Sequence, residues 1–198
     1  MKRIYKDKGK EILSEILVDK TKSIPGSLPW LLYGDGNIST QSLYIKIGRN
    51  FEKWFKFIVG DNDMELLPDG VIKNVIGNKS KDIDLLFKDE VEKVIHYREM
   101  KSNLELDTEK LPATYEKIKK VTEYLENEYK GYTINSSLLH WSVYESSVLP
   151  NKYRNKIKEC NKNNVGVTYP IDLFELLSVD ISEEEYYKYF RELGKIIK

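Results

Sequence analysis

The stretch "KDIDLLFKDEVEKVIHYREMK", Lys81 to Lys101, constrains the fold of this chain more than any other. Two runs rich in Ile, Leu, Val and aromatic residues flank the polar "KDEVEK", which is the pattern of an antiparallel hairpin. Strands this apolar need cover on both faces, so they imply a sheet with helices packed on it. Yet the same strands carry Asp82, Asp84, Glu99 and Lys101. Side chains alternate along a strand, so Asp82 and Asp84 share one face, and so do Glu99 and Lys101. Pairing through the turn is expected to bring the two sets together.

Carboxylates held close together repel one another unless something compensates their charge. A divalent cation does so. Magnesium prefers hard oxygen ligands, often one or two carboxylates together with substrate phosphate oxygens. A lysine beside it can orient or deprotonate an attacking water and stabilise developing charge. The set is chemically complete for hydrolysis of a phosphodiester.

The rest of the chain supplies the cover. Ile12, Leu13, Ile16 and Leu17 lie on one side of an N-terminal helix, which the Pro/Gly-rich "SIPGSLPWLLYGDGNIST" separates from the remainder of the chain. A second helix is expected over Gln41 to Val59, with Leu43, Ile47, Phe51, Trp54, Phe55 and Ile58 as its apolar stripe. "VIKNVIG", "DIDLLF" and "VEKVIHYREMK" read as three strands, and "LDTEKLPATYEKIKKVTEYLENEYKG" as a long helix with Pro112 in its first turn and Gly131 as its stop. "SLLHWSVY" reads as a buried strand and "VGVTYPIDLFELL" as a short strand running into a helix. Ser182 and Glu185 stand in capping-box spacing at the start of the last helix. The expected architecture is α/β, with a central mixed sheet of about five strands flanked by helices and with helical additions at both ends. A single domain over residues 1–198 is expected, with its core at about 41–177, the N-terminal addition at 1–38 and the C-terminal helix at 182–197.

Composition narrows the function classes. Charged residues make up 32% of the chain and hydrophobic ones 40%, which is a globular balance. No apolar run reaches the length of a membrane span, and the N-terminus lacks the apolar stretch of a signal peptide. The single cysteine, Cys160, excludes an internal disulfide and fits a reducing cytoplasm. A formal net charge of +0 argues against simple coating of nucleic acid, but "NKYRNKIKECNKNN", Asn151 to Asn164, is locally basic.

Asp84 followed fifteen residues later by Glu99-Met100-Lys101 resembles the signature of the PD-(D/E)xK nucleases, a superfamily that includes type II restriction endonucleases and Holliday-junction resolvases. The order of elements from about Gln41 to Tyr144 is similar to the core of that family: helix, three strands, helix, strand. The resemblance implies a restriction-endonuclease-like core, magnesium held by Asp84 and Glu99, and catalysis by Asp84, Glu99 and Lys101. Glu52, in "IGRNFEKW", stands where the family's first helix often supplies a further glutamate. The proline that commonly precedes the aspartate is replaced by Ile83, which leaves Asp82 and Asp84 both open as the ligand. Asp84 is favoured because it lies deeper in the apolar run, with Asp82 in a supporting role.

Plainer readings compete at each position. Glu128-Tyr129-Lys130 repeats the acidic-x-Lys pattern at a solvated helix end and has no upstream aspartate strand. An edge-strand salt-bridge ladder is the plain alternative for Asp84, Glu99 and Lys101, and an i+4 pair with Lys56 is the one for Glu52. The odd interval from His96 to Glu99 sends the imidazole to the opposite face, and His140 reads as a core histidine. Cys160 has no histidine pattern for a catalytic thiol. The basic segment supplies the candidate DNA contacts, Lys152, Arg154, Asn155 and Lys156.

The expected function is a cytoplasmic, magnesium-dependent endodeoxyribonuclease acting on double-stranded DNA without a nucleotide cofactor or membrane. A type II restriction enzyme working as a homodimer is favoured, since one site cuts one strand and a two-fold pair cuts both strands of a palindrome. A junction resolvase or repair nuclease is the alternative of the same chemistry, and a catalytically inactive DNA-binding module is the alternative of another class. "DIDLL" also suits the Asp-x-Asp of nucleotidyltransferases, but the nearest candidate for the Gly-Ser helix start those enzymes need, Gly77-Asn78, stands in a turn directly before the strand, and that reading is rejected.

Overall fold

A computed structural model describes residues 1–18, 40–68, 70–76, 79–102, 111–148 and 165–197. The candidate DNA contacts Lys152, Arg154, Asn155 and Lys156 lie outside these residues, as does Cys160. The chain forms two compact units, residues 1–58 with 184–198 and residues 59–183.

The first unit holds helices α1 (Arg3–Val18) and α2 (Thr40–Gly60, which runs just into the second unit), together with most of the last helix, α5 (Glu183–Ile197). Its core is aromatic. Trp54 stacks on Tyr189 with ring centroids 5.6 Å apart and meets Phe55 and Phe190 edge-on. The buried indole N–H donates to the Tyr5 carbonyl at 2.8 Å, so the large ring leaves no polar atom unsatisfied. Gly9 is required by close approach: a Cβ there would fall 1.7 Å from the Tyr189 hydroxyl oxygen.

The second unit contains a mixed five-stranded sheet in an α/β arrangement, as expected. The strands are β1 (Glu65–Leu66), β4 (Leu85–Asp89), β5 (Val94–Lys101), β6 (Thr133–His140) and β7 (Gly166–Thr168), in spatial order β1-β4-β5-β6-β7. β4 runs antiparallel to β5, while β6 runs parallel to β5 and to β7. Helix α3 (Leu111–Glu128) makes the crossover that a parallel β5–β6 pair needs, and the short α4 (Pro170–Leu176) comes after β7. Pro112 lies in the first turn of α3, and Gly131, at φ 90°, stands just past its end. The turn between β4 and β5 is set locally: the Asp89 carboxylate accepts from the N–H groups of Val91 and Glu92, each at 2.9 Å.

One expectation is corrected. "DIDLLF" is not a continuous strand. Lys79–Ile83 forms β3 and pairs with β2 (Gly70–Ile76) in a separate two-stranded sheet, whereas β4 begins at Leu85 and joins the main sheet. Asp84 is the bend between them. Alternation along one strand would make Asp82 and Asp84 neighbours on a single face, but a change of pairing partner between them ends that periodicity.

β5 divides the environment of the sheet. Ile95 and Tyr97 belong to the apolar core that also holds Tyr115, Ile118, Val121 and Leu125 of α3. His96 and Arg98 have the opposite parity. His96 stacks on Phe87 at 4.8 Å, and the Arg98 guanidinium donates to the carbonyls of Tyr97 (2.9 Å) and Asn135 (2.7 Å). It also lies 3.3 Å from Nδ1 of His96, which must accept. Burial, together with the neighbouring Arg98 charge, pushes His96 down to about 4, so the ring is neutral. His140 is buried on β6.

Candidate active site

The site forms where β4 stops and β5 continues. The β4–β5 ladder ends at Leu85↔Arg98, while β5 stays paired with β6 through Glu99↔Leu138, Met100↔Leu139 and Lys101↔His140. The Met100 N–H therefore extends past Leu85, the first residue of β4. The Asp84 carboxylate takes it instead, with Oδ2 accepting at 2.8 Å. That bond fixes Asp84 opposite Glu99, one step beyond the last ladder pair.

Glu99 has the parity of Tyr97, so it leaves the sheet toward α3, and it is only 2% exposed. Its two oxygens are both engaged. Oε1 accepts from the Lys101 ammonium at 2.8 Å. Oε2 accepts from the Tyr97 hydroxyl at 3.0 Å and also pairs with Lys117 of α3. The Lys117 ammonium is in addition 3.9 Å from Asp84 Oδ1, so it reaches both carboxylates. A buried carboxylate is costly unless its lone pairs meet donors, and Glu99 has three.

The two acids titrate in opposite directions. Burial raises the pKa of Asp84, the Glu99 charge raises it further, and Lys117 and the Met100 N–H only partly offset this. Burial opposes Glu99 in the same way, but Lys101 and Lys117 outweigh it and hold that carboxyl below its ordinary value. Tyr97 is pushed well up by burial and by the adjacent Glu99 charge, so its phenol stays protonated as a donor. One ionised carboxylate thus faces a second whose ionisation burial opposes.

Of the residues singled out in the sequence, Asp84, Glu99 and Lys101 are brought together. Asp82 is exposed, and it sits on β3 opposite Val71, in the two-stranded sheet. Glu52 lies half-buried on α2, in the first unit. Among the described residues, no group of three or more His, Cys, Asp or Glu side chains is placed to hold a metal ion.

Sequence reasoning missed Lys117. Its signal was helical spacing: Lys117, Val121 and Leu125 recur every four residues, and the latter two are fully buried. A lysine in line with a buried stripe is directed at the sheet, and the carboxylates it meets there stand at the C-terminal end of β5.

No protein-family model matches the chain, and no curated protein matches it. Among solved structures, protein VC1899 from Vibrio cholerae is similar at 13% identity and a TM-score of 0.40, over 88% of this chain and 49% of that one. The chain thus spans about half the length of that protein. An N-terminal domain of a reptarenavirus L protein is similar at 15% identity and a TM-score of 0.30, over 96% of this chain and 94% of that one. Likenesses this distant define neither an activity nor a family. No helix among the described residues is long and apolar enough to cross a membrane.

Proposed function

We infer that this chain is a magnesium-dependent endodeoxyribonuclease of the PD-(D/E)xK kind, acting on double-stranded DNA as a homodimeric type II restriction enzyme. One observation carries the reading: Asp84 and Glu99 converge at the end of the β4–β5 ladder with the Lys101 ammonium on Glu99 Oε1. A salt-bridge ladder on an edge strand does not explain this, because β5 is an interior strand and Glu99 is buried.

The residues present suit magnesium. The donors are hard carboxylate oxygens, and Asp84 ionises reluctantly where it stands, which a dication would relieve. Asp84 and Glu99 would hold the ion. Magnesium bound there would contribute positive charge toward phosphate oxygens and lower the pKa of a coordinated water. The chain's own groups do the positioning. Tyr97 and Lys101 fix the rotation of Glu99 through its two oxygens. Lys101, at 29% side-chain exposure, is accessible to substrate and orients the attacking water while offsetting charge that grows on the phosphate. Lys152, Arg154, Asn155 and Lys156 are the proposed phosphate and base contacts.

The test is incubation of purified protein with mixed-sequence plasmid DNA and magnesium. Discrete fragments that disappear in Glu99→Gln and Lys101→Ala support the reading. A continuous smear would leave a nonspecific nuclease, cutting confined to branched DNA would leave a resolvase, and intact plasmid would reject nuclease activity. Sedimentation on a cleavable duplex checks the dimer.

A further inference from the structure

We propose that the Lys117 ammonium is a built-in counter-ion, which holds the cation's position between Asp84 and Glu99 until a divalent ion displaces it. The proposal rests on reading those two carboxylates as the ion's ligands, and it goes further by assigning an occupant to the metal-free site. Lys101 and Lys117 differ in reach. Lys101 bonds Oε1 of Glu99, whereas Lys117 pairs with Oε2 of Glu99 and stands 3.9 Å from Oδ1 of Asp84. It is the more enclosed ammonium, at 15% side-chain exposure against 29% for Lys101. It also comes from a different element, the buried stripe of α3, so its position is set by helix packing on the sheet.

An ammonium and a dication cannot both occupy the space between two converging carboxylates. The lysine stem is flexible, and its head can swing by several ångströms about side-chain torsions while the backbone of α3 stays packed. The entering ion must therefore turn the ammonium outward, where the nearest anion a nuclease would offer is a phosphate of the bound DNA. This has two consequences. Lys117 stabilises the metal-free fold at the expense of metal affinity, and DNA that engages the displaced ammonium promotes uptake of the ion.

The decisive experiment is calorimetric titration of magnesium into the DNA-free protein, alongside melting in chelator, so that cleavage is not the readout. Lys117→Met should bind magnesium roughly tenfold more tightly than the parent, the scale expected when one charge close to the ion is removed. Its melting temperature should lie below the parent's in chelator and rejoin it at saturating magnesium. Lys117→Arg, which keeps the charge, should stay within a few-fold of the parent. Lys117→Gln carries the same expectation as the methionine variant should the latter not fold. Equal or weaker binding in the charge-free variants, with a parent that does bind, would overturn the counter-ion role and leave the nuclease reading intact. Absence of saturable uptake in parent and variants alike would overturn both.

Discussion

The two units of this protein bury opposite kinds of group. The first surrounds Trp54 with Tyr5, Phe51, Tyr189 and Phe190, and its central polar contact is a neutral indole–carbonyl hydrogen bond. The second brings Asp84, Glu99, Lys101 and Lys117 into the edge of an otherwise apolar layer. Aromatic burial yields stability in proportion to the area removed from water. A buried ion cluster yields little net stability, since desolvation consumes most of what attraction returns. Stability in the first unit and chemistry in the second should therefore separate under mutation.

Asp84→Asn should separate them most. The amide still accepts from the Met100 N–H, so folding survives, but the proposed ion loses a charged ligand and cleavage should fall by at least about a thousandfold. Asp82→Asn, outside the main sheet, should keep measurable cutting. Plasmid cleavage measured beside a melting curve checks both, and unfolding of Asp84→Asn would break the comparison.

Trp54→Ala is the mirror experiment. Loss of a fully buried indole should cost about 3–5 kcal/mol in denaturant unfolding. Carboxylate-dependent chemistry should persist in whatever fraction remains folded.

His96 sharpens the contrast within the second unit. Its folded value of about 4 lies below the ordinary 6.5, so the folded ring refuses a proton that the unfolded chain accepts. The stability it contributes is complete above pH 6.5 and is lost as pH falls toward 4, by at most about 3 kcal/mol. His96→Gln should flatten the acid limb of a stability–pH curve across that window, and an unchanged limb would place the acid sensitivity elsewhere. The smallest effect should come from Gly9→Ala, where the new methyl must displace Tyr189 at a cost of about 1–3 kcal/mol in the first unit alone.

What could be read from residues alone tracked the periodicities. Strand alternation placed Glu99 with Lys101 and sent His96 to the other face, and helix spacing outlined the stripes of α2 and α3. The bend at Asp84 was not legible. β3 and β4 together alternate as one strand would, and Ile83 occupies the position where a proline would have marked an interruption. β1 is a two-residue pairing of Glu65 and Leu66 with Lys88 and Phe87, too short to carry a pattern. Lys117 was hidden for a different reason: a stripe is traced through its apolar members, so a charged residue in line with them is read as lying beside the stripe.

The point where β4 gives out works as a ruler. The Met100 N–H donates to whichever side chain stands one residue before the first β4 pair, so the distance along the ladder, not the local motif, selects the carboxylate that enters the site. Inserting one residue between Asp84 and Leu85 would hand that hydrogen bond to the newcomer and strand Asp84 on the two-stranded sheet with Asp82. The turn between β4 and β5 lies outside that measure and can vary in length, while the single step from Asp84 to the Leu85↔Arg98 pair cannot drift.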